Sequence, residues 1–319
     1  MGYTFREAKR ENAPLVIGIA GPSKSGKTMS ALRIAVGLAG GGKIVMINTE
    51  GKRGHAYADK FNYLVCDLEE PYSMVRYREV VLEAEKIGPA VIIIDSQSHS
   101  HEGVGGMLEQ HDKELDKMCG KTDFKKREKM TWAAWVKPKA DEAQFVNTLI
   151  RLNCHVILCL RAKEKLKIIR GENPVNLGWQ PIASDRVHFE TDFTLVLPPE
   201  TKGIPDLSAS GSEMREPYDT MIPAKKLLDE GLGKRLAEYA SVRGSQEPEG
   251  VKTETEKKDE PTGDNSAFLN VANNERERIG DDIYFKVLGG HGFESAEDIT
   301  DRDKQTDFYK ELREKPDKK

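Results

Sequence analysis

The chain predicts an α/β fold: a mainly parallel sheet flanked by helices, then a linker and a small helical module. Three observations carry this. Short β-branched runs alternate with longer amphipathic segments over residues 1–242, the pattern of parallel strands joined by crossover helices. The apolar run at 15–20 leads directly into Gly21-Pro22-Ser23-Lys24-Ser25-Gly26-Lys27-Thr28, which has the G-x-x-x-x-G-K-S/T spacing of a phosphate-binding loop set between a strand and a helix. Over residues 243–266 Glu, Lys, Thr, Pro and Gly dominate, aromatics vanish and Val251 is the only aliphatic residue, so the segment reads as a disordered linker.

Taken in order, strands are expected at 15–20, 43–48, 63–66, 90–95 and 155–160, with a later pair near 193–197 and 206–209. Helices are expected at 27–38, 71–87 and 138–152. The last two open with Pro71 and Pro138 in the first turn, where a missing N–H does no harm. The third helix presents Ala140, Phe145, Thr148, Leu149 and Leu152 at helical spacing, marking the face that packs on the sheet. After the linker, residues 267–319 regain apolar side chains around a Gly289-Gly290-His291-Gly292 break. They read as two or three short helices, small enough to need docking or oligomerisation.

The 319 residues carry a formal charge of -4, so no overall basic field advertises nucleic acid, and any such contact must use local patches. Cys66, Cys119, Cys154 and Cys159 form no C-x-x-C pair, which suits free thiols in a reducing cytoplasm. The first twelve residues are polar and no segment has the ~18 apolar residues that would span a bilayer, so no membrane association is expected.

In the phosphate loop the glycines let backbone N–H groups turn inward around phosphates. Lys27 supplies a mobile positive charge, and the Thr28 hydroxyl, followed by Met29 in the same helical turn, can ligate Mg²⁺. The run Val91-Ile92-Ile93-Ile94-Asp95 ends a buried strand in a carboxylate, the position from which an aspartate holds Mg²⁺ through water. Glu50 lies just past the end of the next strand after the loop, at the sheet edge where parallel strands gather ligands, and can orient an attacking water or remain a solvated loop acid. The strand at 155–160 ends in Arg161, with Lys163 beyond. A cation there can sense a γ-phosphate in its own subunit or a neighbour's, or belong to a solvated basic loop. His99 and His101 lack a completing ligand set for Zn²⁺, and His99 reads as a link between the nucleotide site and the following loop.

Two patches are locally basic. Residues 120–130 carry Lys121, Lys125, Lys126, Arg127 and Lys129 against Asp123 and Glu128. Residues 161–179 carry Arg161, Lys163, Lys165, Lys167 and Arg170 against Glu164 and Glu172. Such clusters meet phosphate backbones, and Trp132, Trp135 or Trp179 can stack on unpaired bases, although charge runs also serve as plain solvated faces.

In this order the parts resemble the RecA-like ATPases. They resemble more closely the phage-encoded AAA-family ATPases, which include recombination and single-strand-annealing accessory proteins. Residues 21–38, 93–106 and 154–164 carry the likeness, which spans about residues 3–240. The resemblance implies ATP as the nucleotide and Glu50 as the residue that activates water. It also implies DNA-contacting loops after the Asp95 and Arg161 strands, where both basic patches fall, and hence single-stranded DNA as a partner of a DNA-stimulated homo-oligomer in the cytoplasm of a bacterial host. Residues 282–312 are loosely similar to C-terminal helical modules of phage recombination proteins, implying a single-strand-binding or annealing protein as a further partner. Two positions depart from the pattern: Lys24 replaces a small loop residue, and Arg161 stands where RecA proteins carry glutamine. The competing readings are a small-molecule P-loop kinase, for which the basic loop after Arg161 would be the lid, and a regulatory ATPase switch, which would need a second lysine where Pro22 stands. No N-K-x-D occurs, which disfavours GTP.

Overall fold

In the computed structural model the described residues are 7, 12–167, 174–241, 266–293, 295–299 and 301–316. The first compact unit, residues 1–248, runs β1 (Val16–Gly21), α1 (Lys27–Ala39), β2 (Ile44–Asn48), β3 (Leu64–Asp67), α2 (Met74–Glu85), β4 (Val91–Asp95), α3 (His99–Glu102), α4 (Met107–Cys119), α5 (Phe124–Ala134), α6 (Val136–Arg151), β5 (His155–Lys167), β6 (Val175–Pro181), α7 (Asp185–Phe189), β7 (Phe193–Val196), α8 (Tyr218–Met221) and α9 (Glu230–Ala240). The strands form one sheet in the order β3-β2-β4-β5-β1-β7, with β6 paired to β5 off this path. Every pairing along that path is parallel; β6 alone runs antiparallel.

The central strands are apolar along the stretches that helices cover on both faces, such as residues 44–47 of β2, 91–94 of β4 and 156–160 of β5. On one face Leu32, Ile34 and Leu38 of α1 pack with Leu232 and Leu236 of α9 over Ile17, Ile19 and Met46. On the other, Tyr77 and Val81 of α2 pack with Phe145, Val146 and Leu149 of α6 over Ile92, Ile94 and Leu158, and Tyr77 meets Phe145 edge-on at 6.0 Å. The α1–α9 crossing is unusually close. A Cβ placed on Gly37 would stand 2.8 Å from the Gly233 Cα, and Arg33 ties the crossing with hydrogen bonds of 3.0 and 2.8 Å to the two Glu230 carboxylate oxygens.

Several elements differ from expectation. Pro71 lies outside α2, which opens at Met74. There Ser73 is the cap, its Oγ accepting the Arg76 N–H at 3.4 Å, so the local hydroxyl decides where the helix begins. Residues 206–209 form no strand. Asp206 makes one bridge to Val196, and its carboxylate then accepts the Ser208 N–H at 3.0 Å, turning the chain. β5 continues past Leu160 to Lys167 and pairs antiparallel with β6, so among the described residues what reads as a basic loop is a pair of strands. α4 and α5 fill residues that carried no helix expectation.

The second unit, residues 249–319, contains α10 (Ser266–Ile279), α11 (Asp281–Gly290) and α12 (Arg302–Arg313), packed around Tyr284, Leu288, Ile299, Phe308 and Leu312. Of the expected linker, residues 243–265 lie outside the described residues. Among the described residues no helix is long and apolar enough to cross a membrane.

Candidate active site

Parallel register brings the strand ends together on one edge of the sheet. Gly21 at the end of β1 lies beside Arg161 of β5, and Asp95 at the end of β4 lies between Asn48 of β2 and Cys159 of β5. A cavity of about 590 Å³ opens there, lined by Pro22, Ser23, Lys24, Gly26, Lys27, Thr28, Glu50, Arg53, Ala56, Tyr57, Asp95, Arg161, Ala162 and Ile182. Four cations and two carboxylates among these give it a net positive lining, which suits a polyanion.

The loop from Gly21 to Thr28 wraps the start of α1. Gly26 caps that helix at a φ of 97°, a conformation that favours glycine, and no side chain caps the first turn, whose N–H groups therefore offer the anion site of a helix N-terminus. Ser25 is buried and its Oγ finds no partner among the described residues. Lys24 is exposed with a left-handed φ of 68°. Met29 is half-buried in the first turn of α1, outside the cavity lining.

Lys27 Nζ donates to the Pro22 carbonyl at 2.8 Å, and burial lowers its pKa despite the nearby Asp95 and Glu50. The Thr28 hydroxyl donates to Asp95 Oδ2 at 2.6 Å. Asp95 is 3% exposed, and burial pushes its carboxyl above the usual range while Thr28 and Lys27 oppose the shift. These two oxygen ligands fit a hard cation such as Mg²⁺. Among the described residues no three His, Cys, Asp or Glu side chains gather to hold a metal by themselves, so phosphate oxygens and water would complete its shell.

Glu50 follows β2 in a turn that Asn48 fixes, accepting the Glu50 N–H at 3.1 Å while donating to the Gly51 carbonyl at 2.7 Å. Its Oε1 accepts from Arg161 Nε at 3.2 Å and Nη2 at 2.8 Å, and Arg53 stands 3.7 Å from Oε2. The backbone N–H of Arg161 donates to Ser98 Oγ at 2.8 Å, and Ser98 donates onward to the Ile182 carbonyl at 2.6 Å. Lys163 is exposed two residues further along β5, beyond the cavity lining.

The basic candidates divide. Lys125 and Lys126 are exposed on α5, whereas Arg127 turns inward to pair with Asp116 and to donate to the Gly120 carbonyl at 3.0 Å, tying α5 to α4. Phe124 is 79% exposed and Trp132 81%, both on α5. Trp135 stacks on His111 at 4.2 Å and Trp179 packs against the sheet core, so both are half-buried where Trp132 is exposed. Lys165 is exposed on β5, Lys167 ends that strand, and Arg170 lies outside the described residues.

Sequence reasoning missed Arg53 and Tyr57 in the cavity and Phe124 on the surface. Arg53 sits in a single short 3-10 helix, Gly51–His55, and Tyr57 in the turn after it, neither long enough to give a periodic signal, and exposure of an aromatic cannot be read from a helix without an apolar stripe. A family model described as an AAA domain matches residues 13–204, which include every residue lining the cavity. No curated protein matches the chain.

Proposed function

Given that the chain belongs to the AAA domain family and is thus an AAA-type P-loop ATPase, we propose that its cavity hydrolyses ATP with Mg²⁺ and that the protein uses this reaction on single-stranded DNA in phage or prophage recombination. The observation that carries the chemistry is the 2.6 Å contact of Thr28 with Asp95 beside Lys27, with Glu50 lining the same cavity.

In this reading Thr28 and Asp95 are the residues that would hold Mg²⁺, which when bound would supply charge neutralisation at the phosphates. Lys27 exchanges the Pro22 carbonyl for phosphate oxygens, and Tyr57 offers an aromatic face to the base. Glu50 orients a water whose oxygen bonds to the γ-phosphorus as the bond to the β–γ bridging oxygen breaks. ADP leaves, and the water proton passes to Glu50. Arg161 moves between Glu50 and the γ-phosphate. Positioning and charge stabilisation dominate such a transfer, so a cavity with four cations is suited to it.

Support for DNA comes from α5, where Lys125 and Lys126 flank exposed Phe124 and Trp132, the pairing of phosphate contact with base stacking that single strands need. We further assign a homo-oligomeric assembly acting in a bacterial cytoplasm, a linker at 243–266, and contact with an annealing or single-strand-binding protein through the helices that follow.

The test is ATP turnover with and without single-stranded DNA. Lys27→Ala should abolish ATP binding, and Glu50→Gln should keep binding while slowing hydrolysis by about 10² or more. Wild-type turnover in either variant sinks the site assignment. Replacing Lys125 and Lys126 by glutamine and Trp132 by alanine should weaken DNA binding and flatten its salt dependence; an unchanged slope removes α5 from the interface.

A further inference from the structure

Glu50 also faces His99, the first residue of α3. The His99 ring is clamped from two sides: its Nδ1 lies 2.7 Å from the Thr49 hydroxyl, and Tyr72 stacks on its face at 5.0 Å. The other nitrogen, Nε2, stands 3.9 Å from Glu50 Oε1, longer than a hydrogen bond but within reach of charge and dipole.

The hydrogen bonds around Thr49 favour one tautomer. Thr49 Oγ1 accepts the Ser96 N–H at 2.8 Å, which leaves one hydroxyl proton to donate. The Ser96 carbonyl, which also accepts the Tyr77 hydroxyl at 2.7 Å, is a second acceptor for that proton at 3.2 Å; His99 Nδ1 is the closer one, and giving it the proton turns the ring N–H, not a bare nitrogen, toward the Glu50 carboxylate. The ring proton then sits on Nε2, on the side of the Glu50 carboxylate. Burial, with Arg161 nearby, lowers the His99 pKa and favours this neutral ring.

We propose that His99 is a positioning residue for Glu50: its Nε2–H, held in place by Thr49 and Tyr72, fixes the carboxylate while Arg161 moves to the phosphate. Without a second anchor, Glu50 would lose its orientation at the moment its partner leaves, and misplacement of a reacting group by about 1 Å can cost about 10² in rate. His99 also begins α3, which leads into α4 and α5, so the anchor of Glu50 stands at the root of the exposed aromatic face. The proposal rests on the reading of Glu50 as the residue that orients water.

Two substitutions separate positioning from structure. Asparagine places its amide near Nδ1, keeping Thr49 and losing Nε2; glutamine reaches to Nε2, keeping a donor for Glu50 and losing Thr49. In the full-length protein, His99→Asn should lower kcat for ATP about tenfold with KM within about twofold, and His99→Gln should keep kcat within about threefold. In a Glu50→Gln background His99→Asn should have no further effect, because its target is gone. Equal loss in both variants, better function in His99→Asn than in His99→Gln, or an additive loss in the Glu50→Gln background overturns the proposal. Wild-type turnover of Glu50→Gln itself overturns instead the role of Glu50.

Discussion

Gly37→Ala should destabilise the sheet unit although alanine is the better helix former. A Cβ at Gly37 would stand 2.1 Å from the Glu230 carbonyl oxygen and 2.8 Å from both Gly233 Cα and Lys234 N. All three are backbone atoms of α9, so no rotamer relieves the overlap, and α9 must retreat by about 1 Å to reach ordinary contact. Helix propensity returns about 0.8–1.0 kcal/mol for replacing glycine, while overpacking in a close-packed interface costs about 1–3 kcal/mol. Retreat also loosens Leu38 against Leu232 and Leu236, each now 5% exposed or less. The expected net loss is about 1–2 kcal/mol, or about 2–8 °C in midpoint for a unit of this size. Trp132, Trp135 and Trp179 all lie in the sheet unit, so tryptophan fluorescence in a urea titration reports that unit alone. Gly289→Ala in α11, where a Cβ meets nothing within 4 Å, supplies the propensity gain without the clash and should leave this transition unmoved. A urea midpoint for Gly37→Ala at or above wild type, with unchanged slope, would refute the reasoning.

Phe145→Ala removes a fully buried ring stacked edge-on to Tyr77 and should cost about 3–5 kcal/mol by the same titration; a loss below about 1 kcal/mol would mean the layer collapses around the hole. Arg161→Ala should lower ATP turnover by about 10² or more with nucleotide affinity changed far less, measured by single-turnover hydrolysis and equilibrium binding; near-normal turnover removes Arg161 from the reaction. Stability should fall as pH drops below about 6.5. Burial depresses the pKa of His155, whose Nδ1 accepts the Leu15 N–H at 3.1 Å. The unfolded chain then binds the proton that the fold refuses, and stability is lost by up to about 1.4 kcal/mol per pH unit until the folded value is passed. His155→Asn keeps an acceptor and removes the titration, so its urea midpoints between pH 7 and 5 should fall less steeply; an identical slope would exclude His155.

The centre of the sheet was legible because its strands are buried on both faces and spell continuous β-branched runs such as Val91-Ile92-Ile93-Ile94. The phosphate loop was legible because its spacing is set by local backbone geometry. Other features depend on distant partners. Beyond Leu160, β5 reads Arg161-Ala162-Lys163-Glu164-Lys165, too polar to announce a strand, and exists through its ladder with β6. α5 carries Phe124 and Trp132 outward and so shows no apolar stripe. The Glu50–Arg161 pair joins residues 111 positions apart. Nothing in either local sequence signals it, since the contact arises only because β2 and β5 flank β4.

The level alignment of Gly21 with Arg161, and of Asn48 and Cys159 with Asp95, makes strand length a gauge. Removing one residue from β4 would leave its composition almost unaltered, yet would draw Asp95 back by about 3.3 Å and turn its side chain to the opposite face, away from Thr28. Side-chain swaps within these strands are therefore far better tolerated than single-residue insertions or deletions. The spacing from each strand's start to its last residue is as much a part of the candidate site as the residues that line it.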